Sequence, residues 1–429
     1  MSKKTNKSIW ICSDCGGEHF AWSGKCSYCN SWNTLKELRG VSETLSRSSE
    51  DARPIKIADI KNNFESRIKT EISEFDLVSG GGIVPGSVIL LGGHPGIGKS
   101  TLVWQIASSI EEKVFYIAGE ESPEQIKIRA NRLKGSNSNI TIFENQDILS
   151  WLSIIEKEKP TLLIIDSIQT VYDSGISGSP GSIMQVKESA MKIINAAKKF
   201  SVATIFVGHV TKDGEVAGPK ILEHLVDAVF YLDGERGSNE RFLRSHKNRF
   251  GPTDELGVFT IGESGLQNSD DFGRISSSKK VPIGVAKCAV LEGSRIYFIE
   301  VQALVQKSPF AMPRRNAVGY DFNRLQMMIA ILARHSKVDL SQHDCFVNIS
   351  DGYKLKNPLG DLAILMALAS SFLSKSLNGK NLFLGEVDLA GRLHLPSEAK
   401  KIIKAAKKIG FTVICADLPI NELIKQNFS

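Results

Sequence analysis

No uninterrupted apolar run in the 429 residues is long enough to cross a bilayer. The start, Met1-Ser2-Lys3-Lys4-Thr5-Asn6-Lys7-Ser8, is basic but runs into Cys12 and Cys15 without the apolar segment of a secretory signal. Both absences predict a cytoplasmic protein with no membrane partner. Charge of one sign is also scarce. The formal net charge of +6 is a mild basic bias that permits a polyanionic partner without requiring one. Cysteines number only seven, and in a reducing compartment a cluster of them reads as metal ligands rather than disulfides. The 42% hydrophobic and 23% charged content is ordinary for a globular protein, and the length suffices for two or three cores.

What the chain does have begins at Gly93-His94-Pro95-Gly96-Ile97-Gly98-Lys99-Ser100, followed by Thr101. An apolar run precedes it and a helix-like segment follows, so the G-x-x-x-x-G-K-[ST] spacing lies in the strand–turn–helix context of a phosphate-binding loop. Such a loop turns successive N–H groups inward as an anion cradle, and the helix N-terminus adds its dipole. Lys99 then reaches the terminal phosphates of ATP, and the Ser100 hydroxyl holds magnesium. Further on, Leu162-Leu163-Ile164-Ile165 ends in Asp166. Four apolar residues in a row suit a strand buried on both faces, and an aspartate at its C-terminal end matches the Walker B pattern, a second magnesium ligand. Glu120 and Glu121 end another strand, and Glu120 is the preferred residue to orient the attacking water; the alternative is an acidic pair capping the next helix. His209 follows a strand at 202–207 and is a candidate sensor of the terminal phosphate. The loop after it carries Lys212 and Lys220, and together with the Gly/Ser-rich loop 172–182 it is a candidate for lining a DNA channel. Lys247-Asn248-Arg249-Phe250-Gly251 ends a basic strand; Lys247 or Arg249 can serve as an arginine-finger-like group on a neighbouring subunit's nucleotide, or simply form a basic surface turn.

Ahead of this core, Cys12-x-x-Cys15 and Cys26-x-x-Cys29 lie ten residues apart, as in two knuckles of a four-sulfur site. Zinc is the preferred metal and iron the lesser option. Trp22 and Trp32 are expected to pack on the knuckles rather than stack on bases. Composition divides the chain into a metal knuckle at 1–35, a polar linker at 36–70, an α/β phosphate-loop domain at 71–270 and an α+β domain at 275–429. In the last, a hairpin (286–291 with 295–305), helices at 322–333, 359–373 and 398–408, and strands at 345–349, 382–387 and 411–415 are predicted. Cys288, Cys345 and Cys415 fall in its apolar strands as core residues.

The cysteine knuckle, the phosphate loop, Ala118-Gly119-Glu120-Glu121-Ser122, the run at 165–170 and above all Lys247-Asn248-Arg249-Phe250-Gly251 together resemble the bacterial DNA repair protein RadA (Sms) family, over essentially the whole chain. The resemblance implies a RecA-like ATPase core with an N-terminal zinc finger and a C-terminal domain similar to the Lon protease domain. It further implies a DNA-stimulated ATPase of recombinational repair that acts on single-stranded and branched DNA. That ATPase would promote branch migration, assemble as a ring (expected to be a hexamer) and work beside a RecA-type recombinase. By this resemblance Lys99 binds phosphate, Glu120 positions water, and Lys247 and Arg249 act at the subunit boundary or in coupling to DNA. His94 departs from the acidic residue expected in the loop; with its side chain directed outward it predicts altered affinity rather than lost function. In the Lon-like domain Leu359 stands where a catalytic serine would lie, and Lys400 matches the lysine partner, so the acyl-enzyme route is closed. The domain then reads as a scaffold, with Lys400, Lys401, Lys404, Lys407 and Lys408 available to DNA or to solvent. An ATP-dependent protease and a RecA-fold signalling ATPase or kinase are the competing readings.

Overall fold

The structure is a computed structural model that describes residues 9–12, 18–19, 21–28, 31–38, 66–133, 138–176, 178–209, 221–234, 238–269, 281–415 and 418–428. Of the residues singled out from sequence, Cys15, Cys29, Lys212, Lys220 and most of the 36–70 segment lie outside these. The chain folds as two compact units, one comprising 1–233, 242–253 and 261–268, the other 234–241, 254–260 and 269–429.

At the N-terminus β1 (Ile9–Cys12) pairs antiparallel with β2 (Glu18–His19) and β3 (Leu35–Leu38). Residues 36–38, expected to open the linker, are therefore the closing strand of this small sheet. Among the described residues its interior holds Cys12, Cys26 and Leu35, with Trp10 packed against them. The expectation that Trp22 and Trp32 pack inward is corrected: they are 59% and 69% exposed. So short a segment has little interior in which to bury an indole. Trp32 instead lies against Gly24, with the Lys25 ammonium over its ring.

The main sheet has nine strands in the order β12-β11-β10-β9-β4-β8-β7-β5-β6. They are β4 (Val88–Gly93), β5 (Val114–Ala118), β6 (Ile140–Phe143), β7 (Leu162–Asp166), β8 (Ala203–Val207), β9 (Ala228–Asp233), β10 (Glu240–Asn248), β11 (Leu256–Gly262) and β12 (Gly265–Asn268). From β9 to β6 all neighbours are parallel. Every residue of β4, β5, β7 and β8 is buried, which is why these strands read as unbroken apolar runs. The helices are α1 (Ser73–Ser79), α2 (Lys99–Ser109), α3 (Pro123–Arg132), α4 (Leu149–Glu158) and α5 (Ile183–Phe200). On one side of the sheet Trp151 and Ile155 of α4 and Val186, Ala190, Ile193 and Ala197 of α5 share a core with Leu90, Ile117, Ile165 and Phe206.

In the second unit β13 (Val285–Glu292), β14 (Arg295–Lys307), β16 (His343–Ile349) and the edge strand β15 (Arg315–Val318) form a mixed sheet in the order β13-β14-β16-β15. Helices α6 (Phe322–His335), α7 (Asp361–Leu373), α8 (Ala399–Lys408) and α9 (Ile420–Phe428) accompany it. The strand predicted at 382–387 is two, β17 (Asn381–Phe383) and β18 (Glu386–Val387). Gly385 separates them with φ +154°, and a Cβ there would meet Leu393 at 2.3 Å. β18 continues into β19 (Leu393–His394), and β17 pairs with β20 (Thr412–Ile414). Cys288 and Cys345 are fully buried, and Cys415 packs at the margin of the cluster that holds Leu359, Ala399 and Ile402.

Candidate nucleotide site

Strand register explains which side chains meet. Along β5, β7 and β8 the partners Ala118, Asp166 and Val207 lie side by side, and Leu91 of β4 is level with Val207. Parallel strands all end on one rim, so the segments that leave β4, β8, β7 and β5 emerge there in that order, about 4.8 Å apart. Those segments carry the 93–101 loop, His209, Ser167 and Glu120.

The loop turns into α2 at Gly98, whose φ of +115° suits a residue without a Cβ. Lys99 is only 4% exposed, and its ammonium donates to the carbonyls of Gly93 at 2.9 Å and His94 at 3.0 Å. Burial pushes its pKa down from the ordinary lysine value, against the raising influence of the Asp166 and Glu120 charges. Ser100 and Thr101 occupy the first turn of α2, and His94 is half-buried. Across the gap to β8, His209 Nδ1 lies 3.3 Å from the Lys99 ammonium, and Nε2 of the same ring lies 2.9 Å from Glu120 Oε1. Ser167 donates to that same Glu120 oxygen at 2.6 Å. Burial raises the Glu120 pKa, but the Ser167 and His209 hydrogen bonds and the His209 and Lys99 charges outweigh it. The carboxyl therefore lies below the usual carboxylate range.

The neighbouring acid is engaged elsewhere. Glu121 forms an ion pair with Arg129 of α3, while Glu120 lies beside His209 and Ser167. Asp166 is 7% exposed and accepts a 2.6 Å hydrogen bond from the Tyr116 hydroxyl. Gly119, between Ala118 and Glu120, has no room for a Cβ, which would lie 1.8 Å from Thr170 Oγ1. The approach lets the Gly119 N–H donate to the Asp166 carbonyl at 2.7 Å. An oxygen donor set of Asp166 and the Ser100 hydroxyl beside a phosphate cradle suits magnesium. Ser167 and Tyr116 went unnoticed in the sequence: a serine after Walker B and a tyrosine inside an apolar run give no local signal.

Lys247 and Arg249 are not on this rim. β10 runs antiparallel to β9, with Lys247 level with Val229 and Asn248 with Ala228, and Ala228 is level with Ile89 near the start of β4. They lie at the opposite rim from the P-loop of their own chain. The Lys247 ammonium donates to the carbonyls of Glu223 at 2.8 Å, Val226 at 2.8 Å and His224 at 3.4 Å. Arg249 reaches buried Asp227 at 3.2 Å, with its side chain 53% exposed. Asn248 donates to the Val78 and Ser79 carbonyls, and Gly251 lies so close to Gly80 that a Cβ on either would sit 3.0 Å from the other's Cα. Arg67 closes the same contact by donating to Ser79, Gly82 and Phe250 carbonyls.

The loop 172–182 is anchored more than its composition suggests. Gln185 donates to the Asp173, Ile176 and Gly178 carbonyls and accepts from the Asp173 N–H, and buried Asp173 pairs with Lys192. In the N-terminal sheet Cys12 and Cys26 converge, and His19 Nε2 lies 3.4 Å from Cys26 Sγ. Among the described residues no three metal-ligating side chains form a group, since the other two cysteines of the motif lie outside them.

The KaiC ATPase family model matches residues 68–160, and the rubredoxin metal binding domain matches residues 10–37. The DNA repair protein RadA of Salmonella typhimurium is 42% identical over 419 residues, covering 94% of this chain and 91% of its own. That of Helicobacter pylori strain J99 is 40% identical over 423 residues, covering 96% and 93%. Among solved structures, a KaiC-like protein of Pyrococcus horikoshii is similar at 20% identity and a TM-score of 0.40, covering 48% of this chain and 99% of its own. With a P-loop rim on a parallel sheet and relatives aligned over more than nine-tenths of both chains, the chain belongs to the DNA repair protein RadA family and combines a RecA-like ATPase domain with an N-terminal zinc ribbon.

Proposed function

We propose that the protein is a DNA-stimulated ATP hydrolase of recombinational repair that moves along single-stranded DNA and promotes branch migration. The observation that carries the ATPase reading is the convergence of Lys99, His209, Glu120, Ser167 and Asp166 on one rim of four adjacent strands. In this reading the 93–101 loop and Lys99 hold the phosphates, Ser100 and Asp166 hold magnesium, and Glu120 orients water. Magnesium, when bound, supplies charge neutralisation on the phosphoryl oxygens. His209 joins the phosphate-binding lysine to the water-orienting carboxylate, which supports its role as a sensor feeding the loop of Lys212 and Lys220. Because Lys247 and Arg249 cannot serve their own P-loop, they suit a homo-oligomeric ring, read as a hexamer. Arg249, half exposed, is the group offered to the neighbour, while Lys247 secures its own chain.

Cys12, Cys15, Cys26 and Cys29 are the proposed zinc ligands, a reading that the matched metal-binding domain and the paired burial of Cys12 and Cys26 support. The proposed division is 1–35, 36–70, 71–270 and 275–429, with the last a non-proteolytic Lon-like scaffold. DNA, a RecA-type recombinase and further copies of this chain are the partners in this account.

The deciding experiment is ATP turnover by the full chain at low salt, with and without single-stranded DNA. Turnover that rises several-fold with DNA, and that Lys99→Ala abolishes while circular dichroism is unchanged, is the expected result. Turnover indifferent to DNA would favour a signalling ATPase instead. Turnover retained in Lys99→Ala would remove the site.

A further inference from the structure

The carboxylate proposed to hold magnesium is itself held. Tyr116 lies on β5 and Asp166 on β7, with Tyr116 level with Ile164 and Ala118 level with Asp166. Tyr116 is thus the diagonal neighbour of Asp166 on the same face of the sheet, a separation a tyrosine side chain spans and a shorter one does not. Its hydroxyl donates to Asp166 Oδ2 at 2.6 Å. The ring is 1% exposed, and Trp104 packs edge-on against it, with ring centres 5.7 Å apart. Trp104 belongs to α2, the helix whose first turn carries Ser100. One phenol therefore touches the element of each proposed magnesium ligand. Oδ2 is occupied, and among the described residues Oδ1 receives no hydrogen bond.

We infer that Tyr116 is a positioning residue for the divalent cation, fixing Asp166 through Oδ2 so that Oδ1 is the oxygen presented to the metal or its water shell. The inference rests on the ATPase reading only for the identity of the ligand, a magnesium–nucleotide complex. Removing the hydroxyl leaves Oδ2 without its donor in a buried setting, and the carboxylate loses the contact that selects its rotamer. Outer partners of metal ligands are worth about 10–100-fold in metal affinity.

The test is a magnesium titration of the full chain in the presence of a fixed amount of a fluorescent ATP analogue, read by fluorescence, with thermal melting alongside. For Tyr116→Phe the expected result is unchanged analogue binding in EDTA and a magnesium midpoint raised about tenfold. A midpoint equal to wild type, with only a lowered Tm, would mean that the hydroxyl merely satisfies itself on the nearest acceptor, and would overturn the inference. A double-mutant cycle adds a second readout: in an Asp166→Asn background, Tyr116→Phe should not move the midpoint further, and an additive shift would overturn the proposal. A wild type that binds the analogue with magnesium yet shows no turnover would sink the ATPase reading and leave this one standing.

Discussion

At the scale of single residues, Glu120 Oε1 is shared by a serine hydroxyl and an imidazole, and the same imidazole approaches the P-loop lysine. A carboxylate held from two sides has one orientation, and the same two contacts lower its pKa from the ordinary carboxylate value. Ser167→Ala removes one of the lowering influences, so the Glu120 pKa moves up toward the ordinary carboxylate value. The expected outcome is a lower kcat with nucleotide affinity unchanged, and an acid limb of the pH–rate profile displaced to higher pH. A pH–rate series on both proteins checks it, and an acid limb that stays in place would separate Ser167 from Glu120. Because the folded-state pKa lies below the unfolded one, the stability Glu120 contributes is present above its unfolded pKa and fades as pH falls through the folded value.

At the scale of elements, most of this arrangement was legible because each residue ends or follows an apolar run. Lys99, Glu120, Asp166 and His209 are each preceded by a strand whose unbroken hydrophobicity marks burial on both faces, and parallel strands share one rim. Tyr116, Ser167 and Arg67 were not legible, since each acts through a contact set by strand register or by chain segments far apart in sequence. The aromatic knuckle residues misled for the opposite reason: tryptophan predicts burial only where there is an interior to enter. The basic segment at 247–249 was legible as chemistry but not as location, which required the antiparallel turn of β10. Its location makes a prediction. In mixed assemblies Arg249→Ala should depress the turnover of wild-type neighbours, giving a curved plot of activity against mixing ratio. Lys247→Ala should act on its own chain, destabilising it by about 1–3 kcal/mol as the carbonyls of 223–226 lose their donor, measured by urea denaturation. A linear plot for Arg249→Ala would contradict a role between subunits.

At the scale of the whole molecule, the turn singled out from sequence in each unit has its own surroundings. In the first, Lys99, Glu120, Ser167 and His209 follow strand ends and meet one another. In the second, the short turn Pro358–Gly360 leads into α7 with Leu359 at 1% exposure, inside a cluster with Ala289, Ala399, Ile402 and Phe411, while Lys400 faces solvent. Replacing Leu359 with serine should therefore cost about 3 kcal/mol of stability and yield no casein hydrolysis with or without ATP. Detectable cleavage would reopen the protease reading. The consequence of that one leucine reaches beyond the assay. A hydroxyl installed at this turn would enter a hydrocarbon cluster, at a turn where the Asn357 side chain already accepts from the Leu359 N–H and donates to Glu398. A nucleophile placed there would have to displace packed side chains before it met a substrate, so the substitution is expected to loosen an interior rather than open a site.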